Sequence, residues 1–162
     1  NRDGAGRFVA EVKLAPGEEF RRSVYVQVRR SKPLSVLDTF DWATTEPNCE
    51  VRNSSTVTPQ ALMLLNSEFI AAQAEAFAQR VTKVAGASAE KQVALAWKLA
   101  YSAEPSTAEV DRALSFLKEQ TAHYQAIDAK GKPAKDTPSA SDRALAVFCQ
   151  AVLMSNRFLY VD

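Results

Sequence analysis

The sequence predicts an all-α protein: a compact bundle of four main helices plus a short N-terminal one, with a long packed loop and an apolar C-terminal tail. Three observations predict it. Apolar residues recur at helical spacing through residues 61–81, 93–100, 110–124 and 145–153. Helix-terminus signals bracket those runs, at Thr58-Pro59, at Gly86 and at Ser106 with Glu109. The one stretch with strand-like alternation, through Val24, Val26 and Val28, has no second strand to pair with.

Residues 1–20 are charged and irregular, with Gly4, Gly6, Pro16 and Gly17 as breakers, and read as the end of an upstream region. Residues 21–162 read as one helical domain. In RRSVYVQVRR (21–30), Val24, Tyr25 and Val28 also share a helical face, and this is the short N-terminal helix. Lys32-Pro33 ends it, because the residue before proline is pushed out of the α region. Residues 41–55 form a polar loop that carries Trp42, Cys49 and Val51, a composition that packs onto a core.

Thr58-Pro59 reads as N-cap and N1 of the first long helix. Asn66 divides that run and caps a second segment before Ser67 and Glu68, and Gly86 closes it. Residues 89–101 are apolar around much of their circumference, which predicts a helix near the centre. Ser106 and Glu109 form a capping box that opens a helix through Tyr124. Residues 128–141, rich in Lys, Pro, Ala and Ser, read as a mobile internal loop. The last helix runs over 143–154 and stops at Asn156, and the tail Phe158, Leu159, Tyr160 and Val161 is expected to dock back.

The 162 residues carry a formal charge of +1, with 46% hydrophobic and 24% charged residues. Such a chain can bury a real core. Near-neutrality argues against duplex DNA or an anionic membrane as partner. No apolar run approaches the roughly 18 to 20 residues of a spanning helix.

No reaction is legible. His123 is the single histidine, without ligand-type neighbours at metal spacing, so no metal site is expected. There is no GxSxG elbow for a nucleophilic serine. Glu46 and Glu50 are separated by Pro47 and do not share a helix face. The arginines offer more. Arg21, Arg22, Arg29, Arg30 and Arg52 gather before the first long helix beside Asp38 and Asp41. They read either as an anion or sugar-acid site or as ion pairs tying the loop to the bundle. Trp42 is either a sugar-stacking platform or a core residue. Candidate ligand-binding residues are therefore Arg22, Asp41, Trp42, Arg52 and Gln60, and no residue is assigned as catalytic. Cys49 and Cys149 are either two buried free thiols or a bridge closing a long loop, which chain entropy values at roughly 4 to 5 kcal/mol.

RRSVYVQVRR (21–30), the FDW at 40–42, the C-x-x-R at 49–52, TPQALMLLN (58–66) and the closing SNRFLYVD (155–162) together resemble the C-terminal part of the DUF1553, or PSD1, family. The resemblance runs from about Arg21 to Asp162. The family form has Glu where this chain has Arg157, and Asp-Ala-Pro where it has Asp41-Trp42-Ala43. The resemblance implies a piece of a large, planctomycete-type, cytochrome-c-associated protein that is exported and extracytoplasmic, either periplasmic or on the cell surface. In that setting a Cys49–Cys149 disulfide can persist. It implies no cofactor in this chain, with haem on a separate domain, in keeping with the missing CxxCH. It implies the upstream domains of the same protein as partners, with polysaccharide as the alternative. It supplies no activity. The function expected is a non-catalytic structural and interaction module, the alternative being a domain that binds or processes an anionic glycan.

Overall fold

The structure, a computed structural model, describes residues 39–40, 57–131 and 137–160. These residues are 82% helical and none lies in a strand, so the all-α expectation holds. The chain divides into two compact units, Asn1–Gln60 and Ala61–Asp162. The expected boundary after residue 20, the short helix over 21–30 and the loop over 41–55 lie outside the described residues.

Helix α1 spans Val57–Leu65. It begins one residue before the expected cap, so Pro59 is its third residue rather than its first. Proline fits there because none of the first-turn amides has an intrahelical partner to lose. The predicted break after Leu65 is present, but the labour is divided differently. Asn66 closes α1, its Nδ2 donating to the Leu62 carbonyl at 2.9 Å. Ser67 is the cap of α2 (Glu68–Ala85), its hydroxyl accepting from the Ile70 amide. Gly86 ends α2 with φ of 71°, a region where a glycine avoids the Cβ penalty, and its amide donates to the Thr82 carbonyl at 2.9 Å.

Helix α3 spans Ala89–Tyr101, as its apolar run predicts. Helix α4 spans Thr107–Lys130 and opens with the full capping box. The Ser106 hydroxyl accepts from the Glu109 amide, and the Glu109 carboxylate accepts from the Ser106 amide at 2.7 Å. Helix α5 spans Ala140–Leu153 behind Ser139, whose hydroxyl accepts from the Asp142 amide at 3.1 Å. The expected internal loop therefore loses both its ends: residues 128–130 belong to α4, and residues 140–141 belong to α5. Asn156 does not stop the chain's helical run. It starts the short helix α6, Asn156–Leu159.

The second unit is built around α5. It packs on α2 and α4 most extensively, and also on α3 and α6. It buries Ala144, Leu145, Phe148, Cys149 and Val152, two adjacent stripes of a helix enclosed on several sides. Facing helices supply Ala74, Ala78 and Val81 from α2, Val93 and Ala96 from α3, and Ala113 and Leu117 from α4, all at one-turn spacing. The expectation that α3 is central is corrected here. Leu99 of α3 is 40% exposed, and α3 packs on its neighbours less extensively than α5 does. Phe148 joins the aromatic residues, stacked on Trp97 at 6.5 Å and tilted against Phe116 at 6.5 Å.

Candidate functional site

Of the five residues nominated for ligand binding, Gln60 is described, and it does not face solvent. It is 3% exposed, and its Nε2 donates to the Thr39 carbonyl at 3.1 Å. A buried amide held by backbone satisfies its own desolvation and ties two segments together. Arg22, Asp41, Trp42 and Arg52 lie outside the described residues. So does Cys49. Cys149 is a fully buried free thiol in α5, and burial pushes its pKa up to about 12.

His123 is exposed on α4, its ring edge-on to Tyr124 at 5.7 Å. Among the described residues, no group of three or more His, Cys, Asp and Glu could hold a metal ion.

Among the described residues of the second unit, clefts open on two sides of α5. One, of about 400 Å³, lies between α2 and α5 and is lined by Glu75, Ala78, Lys83, Asp142 and Arg143 among others. The other, of about 560 Å³, has an apolar floor of Leu114, Leu117 and Leu145, with Gln92, Lys118 and Gln125 on its rim. The first carries both signs of charge, and its two α5 groups are already committed. The Asp142 carboxylate accepts from the Ser139 hydroxyl at 2.6 Å. The Arg143 guanidinium pairs with Asp128 and lies over the Tyr124 ring at 4.6 Å. Arg143 Nε is buried without a hydrogen-bond partner.

A second polar cluster sits at the other end of the unit. Arg157 lies over the Tyr101 ring at 4.9 Å and 3.6 Å from Glu109. The Glu109 carboxyl is held below the usual carboxylate range, first by the Ser106 hydroxyl, then by the Ser106 amide, with Arg157 and Arg112 adding to it. Tyr101 also lies 2.9 Å from Ser155 through its hydroxyl, a contact between residues 54 apart.

Neither cluster was foreseen from sequence. Asp128 and Arg143 carried a usable signal, since opposite charges flank one short connection between amphipathic helices. Tyr101 and Arg157 carried none. Large apolar side chains are also partly exposed at the junction of α1 and α2: Leu62 is 58% exposed, Leu65 56% and Phe69 51%. Of the tail expected to dock back, Leu159 is half-buried, while Phe158 and Tyr160 are 41% and 46% exposed. Val161 lies outside the described residues.

Residues 8–117 match the model of the family PSD1, described as protein of unknown function (DUF1553). The match begins earlier than the expected Arg21, and it ends before the closing SNRFLYVD. No curated protein and no solved structure matches the chain.

Proposed function

We propose that this chain, which belongs to the PSD1 (DUF1553) family of proteins of unknown function, acts as a non-catalytic helical module that packs against other domains of a large exported protein. The observation that carries this reading is the exposed apolar pair Leu62 and Leu65 at the α1–α2 corner. Single exposed apolar residues are ordinary, but two large ones one turn apart beside a helix junction mark an interaction surface. A second support is how the charged groups are spent. Arg143 clamps two helices, Glu109 completes a capping box, and Asp142 holds the hydroxyl of the capping Ser139. The upstream domains of the same protein are the partner in this reading. Its extracytoplasmic location follows from the family resemblance. Haem belongs to a separate domain, as a chain with one histidine and no CxxCH suggests.

The glycan alternative has less behind it. One of its five residues, Gln60, spends its amide on the Thr39 carbonyl. The two readings separate in a direct assay. The chain is incubated with anionic polysaccharides, following binding by tryptophan fluorescence and cleavage by released reducing ends. The module reading expects no turnover and no saturable binding. Saturable binding that disappears in Arg52→Ala, or any release of reducing ends, would replace it with the glycan reading.

A further inference from the structure

Polar contacts on the C-terminal turn converge on two residues that flank the α3–α4 connection. Tyr101 ends α3, and Glu109 is the third residue of α4. The Tyr101 hydroxyl donates to Ser155 Oγ at 2.9 Å, since the Ser155 proton goes to the Val152 carbonyl, and itself lies 3.4 Å from that carbonyl. Arg157 covers the Tyr101 ring at 4.9 Å and reaches Glu109 at 3.6 Å.

Ser155 occupies the cap position of α6, yet its side chain makes no capping bond. Its hydroxyl is turned instead to Tyr101 and to the Val152 carbonyl, to which it donates at 2.8 Å. So α6 gives up its own cap. A helix of four residues lies far below the length at which helices persist alone, since nucleation is unfavourable. Its order must come from what it is fastened to. The ion pair in that fastening is light: the side chain of Arg157 is 50% exposed, and such pairs are weak in water.

We infer that α6 is a releasable strap, fastened by Ser155 and Arg157 onto Tyr101 and Glu109, which opens without unfolding the helices beneath it. Opening uncovers the face of Tyr101, whose ring meets Trp97 edge-on at 5.0 Å. It also frees Phe158, already 41% exposed, for contact elsewhere. The strap links the tail to the α4 cap, because Glu109 serves both.

Those two duties of Glu109 can be separated. Glu109→Gln keeps an acceptor for the Ser106 amide, since glutamine completes a capping box, but removes the charge facing Arg157. The test is hydrogen exchange at fixed pH on the wild-type chain, Glu109→Gln and Arg157→Ala. The reporters are the amides of Phe158, Leu159 and Tyr160, which donate to the Ser155 and Asn156 carbonyls. Both variants should exchange there roughly two- to five-fold faster, as loss of one exposed pair allows, while the α5 core amides keep their rates. Unchanged exchange at all three reporters would overturn the strap. So would acceleration that appears only together with faster exchange throughout α5, since α6 would then open only with the whole unit.

Discussion

Arg143, in the first turn of α5, pairs with Asp128, in the last turns of α4, and closes the connection between the two helices. The pair is partly buried, with side chains 20% and 27% exposed, and the guanidinium also rests on Tyr124 at 4.6 Å. The two contacts are expected to contribute unequally. Arg143→Ala removes the ion pair, the ring contact and the packing of the aliphatic stem, and should cost about 1–3 kcal/mol in urea denaturation. Asp128→Asn leaves the guanidinium on Tyr124 and should cost about 1 kcal/mol or less. Equal losses from the two variants would show that the ring contact contributes nothing.

Two helix ends should respond in opposite directions to changes at the residue that closes them. Ser102 ends α3 in the left-handed region at φ of 53°, where an L side chain is strained. Ser102→Gly should therefore stabilise by about 0.5–1 kcal/mol. Gly86 ends α2 at φ of 71° with open space around a would-be Cβ. Gly86→Ala should destabilise by about 1 kcal/mol through backbone strain alone. Thermal denaturation of both variants reads the two signs.

Much of this architecture was legible because its causes are local. Gly86 and the Ser106–Glu109 box are fixed by a handful of neighbouring residues, and the limits of α3 follow from its own apolar run. The errors arose where a distant partner decides. That α5 rather than α3 sits at the centre depends on which stripes the other helices cover, and periodicity within one helix does not carry that. Residues 128–130 looked like linker because they lack apolar side chains, yet Asp128 is held by Arg143. Asn66 and Ser67 compete for one junction, and the hydroxyl took the cap while the amide reached back to Leu62. In the candidate site, a buried glutamine spent on backbone, as Gln60 is, looks the same in sequence as one facing a ligand.

Cys149 should be chemically silent in the folded chain. Burial disfavours its thiolate and moves the pKa from 9.0 up to about 12, so almost none of the nucleophile exists at pH 8. Iodoacetamide at that pH should label Cys149 only after denaturation, as peptide mapping would show. The same shift makes a pH prediction. The folded pKa is raised above the unfolded value, so this contribution is intact below pH 9 and is lost as pH rises toward about 12. A Cys149→Ala variant should show a shallower alkaline loss of stability than the parent.

Glu109 acts at the acid end. Its folded pKa is depressed by the Ser106 hydrogen bonds and by Arg157, so its contribution is present above the ordinary carboxylate range and is lost as pH falls through the depressed value. Glu109→Gln should flatten part of the acid limb of a stability–pH curve. An acid limb identical to that of the parent would mean that the capping carboxylate carries no net charge effect.

The most direct test of the packing-module account is the affinity of this chain for the separately produced remainder of its parent protein, read by titration calorimetry. The account predicts association by the unmodified chain. It predicts binding weaker by roughly ten-fold or more, about 1.4 kcal/mol, in Leu62→Ser/Leu65→Ser with unchanged helical circular dichroism. Binding that is absent in the unmodified chain, or equally strong in the double variant, would contradict the claim that the α1–α2 corner is an interface.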